Sequence, residues 1–143
     1  MKPEAAYIHI PFCVSKCSYC DFSSYPGLEA IFPDYVRALI TEIKRTADSK
    51  NGRLPSEPAL GTVYFGGGTP PLLPASDLVA VLGVIRHFLG LAPDAEVTVE
   101  ANPGTVHLPK LSRLRQAGFN RLSLGVQSLD DDYLRLIGRA HSR

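Results

Sequence analysis

Residues 7–22 read YIHIPFCVSKCSYCDF. The apolar run at residues 6–10 predicts a β-strand, and Pro11 ends it because proline has no backbone N–H to donate to a neighbouring strand. All three cysteines of the chain, Cys13, Cys17 and Cys20, follow at once with C-x3-C-x2-C spacing. The sequence therefore places three thiols in one loop directly after a strand.

Three thiolates so close in sequence can bind one soft metal centre. A structural zinc site normally has four ligands in a closed tetrahedron, and the chain has no fourth cysteine. A redox dithiol would use only Cys17 and Cys20 and leave Cys13 idle. A [4Fe–4S] cluster usually takes four thiolates, so three imply one iron with an open position. The spacing favours this open-site cluster, with zinc and redox or inert thiols as the alternatives.

Composition limits the class of protein. The chain has 143 residues, which is enough for one domain with a real core. A net charge of +1 gives no electrostatic footprint for nucleic acid, and no apolar run is long enough for a transmembrane helix. The first residues lack the apolar segment of a secretory signal, and three clustered cysteines do not make a disulfide framework. We therefore expect a cytoplasmic protein that binds no nucleic acid and has no transmembrane segment.

Strand and helix patterns alternate four times along the chain. Apolar runs predict strands at 6–10, 60–65, 96–100 and 121–126, and helical periodicity predicts helices at 32–48, 75–89, from Leu108 to a stop at Gly118, and 130–137. Residues 49–58 read as a connecting loop. This order predicts an α/β fold with a parallel sheet and outer helices, a partial TIM-type barrel of about four βα units. Since four units do not close a barrel, we expect the chain to be the amino-terminal part of a longer protein.

Polar and glycine-rich residues follow every predicted strand. They are the cysteines, residues 66–69, Glu100 with Asn102, and Gln127. The carboxyl ends of parallel strands form the ligand-binding edge of α/β folds, so these residues are expected to meet at one site. Alternatively, the glycines form a tight turn and Glu100 is a solvated carboxylate. As a site, the glycines would leave N–H groups pointing outward, and Glu100 would accept hydrogen bonds from a ligand.

Several motifs together resemble a known family. The cysteine spacing, with Tyr19 before the last cysteine, resembles the cluster loop of radical S-adenosylmethionine (SAM) proteins. The run Gly-Gly-Gly-Thr-Pro at 66–70 resembles their glycine-rich motif, which holds the methionine amino group. The strings YIHIPFC and VEANPGT are similar to the oxygen-independent coproporphyrinogen III oxidase group, specifically its haem-chaperone (HemW) branch. The resemblance extends over residues 6–141.

The resemblance implies a set of cofactors and the residues that bind them. Residues 1–143 would be the amino-terminal part of a radical SAM core domain, with the cluster loop at 11–25. Cys13, Cys17 and Cys20 would bind a [4Fe–4S] cluster, whose fourth iron would bind SAM. The matching positions of the SAM pocket are Tyr7, Tyr19, Gly67, Gly68, Thr69, Glu100, Gln127 and Arg139. In radical members of the family, the reduced cluster gives an electron to SAM and cleaves it.

The resemblance also implies a function in porphyrin or haem metabolism. The oxidases have a further cysteine two positions after the third ligand, whereas this chain has Phe22, as in the haem-chaperone branch. We therefore expect a haem chaperone that binds haem and transfers it to a haem-accepting protein. The alternative is an oxidoreductase of the coproporphyrinogen dehydrogenase type, which converts coproporphyrinogen III to protoporphyrinogen IX. Either would need an electron donor of the flavodoxin or ferredoxin type. A zinc-stabilised interaction module is a distant third.

Overall fold

The computed structural model describes residues 5–48 and 59–143, and within them the chain forms six strands and four helices. In chain order they are β1 (Ala5–Ile10), β2 (Phe12–Cys13), β3 (Tyr25–Pro26), α1 (Phe32–Asp48), β4 (Leu60–Gly67), α2 (Ala75–Phe88), β5 (Leu91–Ala101), α3 (Leu108–Ala117), β6 (Arg121–Leu124) and α4 (Asp131–Leu136). Two 3-10 turns, Glu29–Ile31 and Pro70–Leu72, lie just before α1 and α2. The connecting loop predicted at 49–58 lies outside the described residues.

Four strands form one parallel sheet in the order β1-β4-β5-β6. Each strand of this sheet pairs with the strand of the next βα unit, and α1, α2 and α3 lie along the chain between these successive strands. The α/β class, the parallel sheet and the four βα units predicted from the sequence are confirmed. All four carboxyl ends lie at the same edge, as the argument for a shared site requires.

The two faces of the sheet differ in chemistry. Alternate strand residues enter the hydrophobic core together with one side of α1, α2 and α3: Ile8, Ile10, Val63, Phe65, Val97 and Val99 from the strands, and Val36, Ile43, Leu78, Val81, Leu82, Ile85 and Leu114 from the helices. Burying each side chain of this kind stabilises the fold by roughly 1.5–3 kcal/mol. The residues between them in sequence, such as Tyr7, His9, Tyr64 and Glu100, lie on the opposite face. The sheet therefore has a polar face that the three helices leave open.

Some strand limits differ from the sequence prediction. β4 continues into Gly67, because the glycine backbone pairs with His9 and Ile10 of β1. β5 begins at Leu91 rather than at residue 96, since Leu91 pairs with Leu60 across an irregular register that contains Pro93. β6 ends at Leu124 instead of residue 126. The short pair β2 and β3 was not predicted, because two-residue strands leave no period in a sequence.

The helix ends follow their capping residues. The Asp130 side chain accepts hydrogen bonds from the backbone N–H groups of Asp132 and Tyr133 at the start of α4. Gly118 ends α3 in the left-handed conformation, with a φ of 111°. None of the helices within residues 5–48 and 59–143 is long and apolar enough to cross a membrane.

Two glycines with opposite backbone roles give a test of the fold. Gly118→Ala should lower the free energy of unfolding by about 1–2 kcal/mol, because an L-residue is strained in the left-handed region. Gly83 lies inside α2, and an added Cβ would meet no atom within 4 Å. Gly83→Ala should therefore raise the free energy of unfolding by up to about 1 kcal/mol. Urea unfolding followed by circular dichroism measures both. Equal effects of the two substitutions would contradict the assigned end of α3.

Candidate functional site

The three cysteines lie in the segment between β1 and α1, and this loop is fastened at both ends. β2, which ends at Cys13, pairs with β3, and the Tyr25 N–H donates to the Pro11 carbonyl at 2.7 Å. Within the loop, the Cys20 N–H donates to the Cys17 carbonyl at 3.1 Å. All three cysteines are free thiols with intermediate exposure. The short strands thus hold the thiols in a folded loop at the carboxyl edge of the sheet.

Two polar side chains hold the loop against the sheet. The His9 ring contacts the Ser23 carbonyl through Nε2 at 2.9 Å. The Lys16 ammonium donates to the Phe22 carbonyl and, at 3.3 Å, to the hydroxyl of Ser24, which is buried. These contacts satisfy loop groups that would otherwise lose water on packing, so they fix the path of the chain beyond Cys20.

The glycine-rich run packs so closely on its neighbours that side chains do not fit. A Cβ at Gly66 would lie 2.7 Å from Glu100 Oε2, one at Gly67 2.5 Å from the His9 ring, and one at Gly68 2.5 Å from the Phe12 carbonyl oxygen. Glycine is therefore required here for close approach of neighbouring groups, rather than for a turn alone.

The sequence predicted that the N–H groups of this run point outward. In the structure, three of these N–H groups donate to protein acceptors instead. The Gly67 N–H donates to Glu100 Oε2 at 3.1 Å, the Gly68 N–H to the Ile10 carbonyl at 2.8 Å and the Thr69 N–H to the Phe12 carbonyl at 2.6 Å. The expectation is wrong because the β1–β2 segment lies beside the glycine backbone and takes these donors. What the run offers a ligand is space beside the cysteines.

Glu100 is held by two hydrogen bonds and is not a freely solvated carboxylate. Its Oε1 accepts from the Tyr64 hydroxyl at 2.6 Å, and its Oε2 accepts from Gly67 N–H. Burial, together with the Glu100 charge and hydrogen bond, raises the pKa of Tyr64. Burial and then the Glu100 charge also raise the pKa of Tyr7. Both phenols therefore stay protonated at neutral pH, and the Tyr64 hydroxyl donates to the carboxylate.

Arg139 connects the end of the chain to the cysteine loop. Its Nη1 contacts Cys17 Sγ at 3.4 Å and the Tyr19 hydroxyl at 3.5 Å. Its Nη2 donates to Asn102 Oδ1 and to the Gly125 carbonyl, both at 2.6 Å. Arg139 Nε is buried and has no hydrogen-bond partner among the described residues. The guanidinium thus provides a fixed positive charge beside a cysteine, with one donor unused.

These groups surround one cavity of about 240 Å³. Its lining includes all three cysteines and six of the eight residues predicted for the SAM pocket, namely Tyr19, Gly67, Gly68, Glu100, Gln127 and Arg139. Gln127, whose backbone is left-handed with a φ of 68°, is exposed at this cavity. Phe22, at the position that separates the two branches of the family, also lines the cavity and is 62% exposed.

The other two predicted residues lie next to this cavity. Tyr7 stacks on Tyr64, with the ring centroids 5.9 Å apart, and is half exposed on the polar face of the sheet. Thr69 is buried, and its hydroxyl lies 3.8 Å from Cys13 Sγ and accepts a hydrogen bond from Asn102 Nδ2 at 2.9 Å. Thr69 is therefore placed to contact a cysteine rather than to line the cavity.

Sequence analysis expected Asn102 at the shared carboxyl edge of the sheet but did not include it among the SAM-binding residues. In the structure its amide joins Thr69 to Arg139, and it lines the cavity. Asn-Pro-Gly is also typical turn chemistry, which accounts for the asparagine without any role for its side chain. Its position two residues after Glu100 was the signal that could have added it to the binding residues.

The donor set of the cysteine loop can be compared with what an iron–sulfur cluster needs. In such a cluster each cysteine binds a different iron, so three cysteines leave one iron without a protein ligand. Three free thiols lie around the cavity, which is the donor set that a cluster with one open iron requires. Among residues 5–48 and 59–143, no three Cys, His, Asp or Glu side chains are arranged to hold a single metal ion.

The chain is similar in sequence to several known proteins. The chain is 43% identical to a Heme chaperone HemW from Synechocystis sp., an alignment that covers 100% of this chain and 34% of the relative. It is 42% identical to Heme chaperone HemW from Escherichia coli, over 99% of this chain and 36% of the relative. A mouse protein, Radical S-adenosyl methionine domain-containing protein 1, mitochondrial, is 41% identical over 96% of this chain and 30% of its own length. The chain thus spans about a third of these relatives.

A solved structure and a family profile complete the comparison. The structure of coproporphyrinogen III oxidase (HemN) from Escherichia coli, described as a radical SAM enzyme, matches with a TM-score of 0.85 and 32% identity. This match covers 99% of the present chain and 32% of that one, and it confirms the predicted partial barrel of the radical SAM kind. The profile of the radical SAM superfamily matches residues 7–143. The chain therefore belongs to the radical SAM superfamily.

Proposed function

We propose that Cys13, Cys17 and Cys20 bind a [4Fe–4S] cluster and that the adjoining cavity binds SAM. One observation carries this proposal: three free thiols line the same cavity as Glu100 and Arg139. Three cysteines leave one iron of a cluster without a protein ligand, and that iron is the position for SAM. When bound and reduced, the cluster supplies an electron to the sulfonium of SAM.

The charges of the cavity suit the polar groups of SAM. The Glu100 carboxylate, fixed by Tyr64 and Gly67, would accept hydrogen bonds from the amine or the ribose hydroxyls. Arg139, which lines the cavity, would attract the methionine carboxylate through its positive charge. Tyr7, Tyr19, Gly67, Gly68, Thr69 and Gln127 complete the proposed binding residues. The chain's own contribution is orientation and charge, while the cofactors supply the chemistry.

For the whole protein we propose haem transfer, with haem as cargo, a haem-accepting protein as partner and the cytoplasm as location. The support is the identity of about 40% to several proteins named heme chaperones, and Phe22 in place of a further cysteine. An electron donor of the flavodoxin or ferredoxin type would reduce the cluster. The second candidate is coproporphyrinogen III oxidation, which the structural similarity to coproporphyrinogen III oxidase (HemN) favours.

Replacing the fixed carboxylate tests the SAM pocket. Glu100→Gln should leave the iron content unchanged and weaken SAM binding about 10- to 100-fold, since a hydrogen bond to a charged group contributes roughly 1.5–3 kcal/mol. Equilibrium dialysis of radiolabelled SAM against the anaerobic, cluster-loaded chain measures this. Glu96→Gln is the matched control, because Glu96 lies on the same strand and pairs with the exposed Arg121 instead. Equal affinities of parent and Glu100→Gln would refute the assignment of Glu100.

Haem transfer and porphyrinogen oxidation predict different products. We expect the anaerobic protein, supplied with SAM and a reductant, to bind one haem per chain and to release it to an apo-haem protein. We expect no protoporphyrinogen IX from coproporphyrinogen III under the same conditions. Absorbance spectra follow the haem, and chromatography of the oxidised porphyrins follows the second reaction. Turnover of coproporphyrinogen III would replace the chaperone proposal by the oxidase.

A further inference from the structure

Asn102 lies between two side chains that each contact a different cysteine sulfur. Its Nδ2 donates to Thr69 Oγ1 at 2.9 Å, and Thr69 Oγ1 lies 3.8 Å from Cys13 Sγ. Its Oδ1 accepts from Arg139 Nη2 at 2.6 Å, and Arg139 Nη1 lies 3.4 Å from Cys17 Sγ. One amide therefore joins the polar contacts of two of the three thiols.

The backbone around Asn102 is fixed by a tight turn. The Thr105 N–H donates to the Asn102 carbonyl at 3.0 Å, and the Asn102 N–H donates to the Thr105 hydroxyl at 3.1 Å. Pro103 and Gly104 occupy the two middle positions, and Gly104 has a φ of 83°, as a type II turn requires at that position. The turn therefore fixes the backbone from which the Asn102 side-chain amide extends. The amide cannot shift freely with Thr69 and Arg139.

The direction of each hydrogen bond follows from the donors available. An arginine side chain has only donors, so the Asn102 oxygen must face Arg139 and its NH2 group must face Thr69. The Thr69 oxygen then accepts, which leaves its own proton free to point at Cys13. The amide thus directs a donor at each of the two sulfurs.

We propose that Asn102 is a positioning residue that aims the Thr69 hydroxyl at Cys13 and the Arg139 guanidinium at Cys17, and thereby sets the reduction potential of the cluster. The inference rests on the proposed function, because it assumes a cluster on these cysteines. Hydrogen bonds to cluster sulfurs stabilise the reduced, more negative state and raise the potential. Residues outside the ligand set would in this way control how readily the cluster accepts its electron.

A second asparagine of the chain shows what a purely structural role looks like. Asn120 Oδ1 accepts from the Val97 N–H and its Nδ2 donates to the Ala95 carbonyl, both at 2.8 Å. Both partners are backbone groups of β5, far along the strand from the cysteine edge. Asn120→Asp is therefore the matched control for the same substitution at Asn102.

The test is the midpoint potential of the reconstituted cluster, measured by anaerobic titration with dithionite and followed by EPR. In Asn102→Asp the carboxylate still accepts from Arg139 but cannot donate to Thr69, so the Thr69 proton turns to the carboxylate and away from Cys13. We expect at least a tenfold lower ratio of reduced to oxidised cluster at a fixed potential, which is about 59 mV for one electron. Asn120→Asp should leave the potential unchanged.

Variants at Thr69 keep the test decisive if Asn102→Asp does not hold a cluster. Thr69→Val removes the hydroxyl at nearly constant shape and should also lower the potential, whereas Thr69→Ser should restore it. In the Thr69→Val background, Asn102→Asp should cause a smaller shift than in the parent. An unchanged potential in Asn102→Asp or in Thr69→Val, or an equal shift in Asn120→Asp, overturns the inference while the proposed function stands. A parent chain that binds no cluster overturns both.

Discussion

The site depends on the close packing of the glycine backbone at the end of β4 against the segment that leads into the cysteine loop. Two hydrogen bonds, from Gly68 N–H to Ile10 and from Thr69 N–H to Phe12, join the two strand ends at 2.8 and 2.6 Å. A Cβ at Gly68 would meet the Phe12 carbonyl oxygen at 2.5 Å, so a side chain there would push the loop away. This contact places Cys13 beside the carboxyl ends of β4 and β5. Glu100 lies at the end of β5, and Asn102 comes directly after that strand. Without it, the thiols and the carboxylate would not share a cavity.

The chemistry of the site also depends on the two faces of the sheet. Ile8, Phe65 and Val99 lie in the core, so the residues next to them in sequence lie on the other face. Tyr7, Tyr64 and Glu100 are on that face in neighbouring strands, so the Tyr64 hydroxyl can donate a hydrogen bond to the Glu100 carboxylate. Arg139 reaches the cavity from the residues after α4, where its guanidinium meets Cys17 and Asn102. Opposite charges thus enter the cavity from separate parts of the chain, each fixed by its own hydrogen bonds.

Much of this arrangement could be predicted from the sequence, because it follows from local patterns. Alternating apolar residues located the four main strands, and proline or glycine at their ends located the loops. Cysteine spacing singled out the three thiols proposed as metal ligands, and the rule that parallel strands share one carboxyl edge predicted that Glu100 and Gln127 lie near them. Helix limits were accurate where a cap residue acts, as at Gly118.

The remainder depends on contacts between residues distant in sequence, which no local pattern records. The donors of the glycine run are taken by Ile10 and Phe12, more than fifty positions earlier, so their direction could not be read from the glycines. The amide of Asn102 meets Arg139 only in the folded chain, and the turn residues beside it gave a complete local explanation. The small sheet of β2 and β3 is likewise held by tertiary packing rather than by strand propensity.

The central claim is that this cavity holds a cluster with one iron open to SAM. Low-temperature EPR of the anaerobically reconstituted and reduced chain, recorded with and without SAM, tests it most directly. The account predicts the signal of a reduced [4Fe–4S] cluster whose g-values shift when SAM is added, because the ligand reaches the open iron. A chain that takes up no cluster and binds zinc instead, or a cluster signal that SAM leaves unchanged, would contradict it.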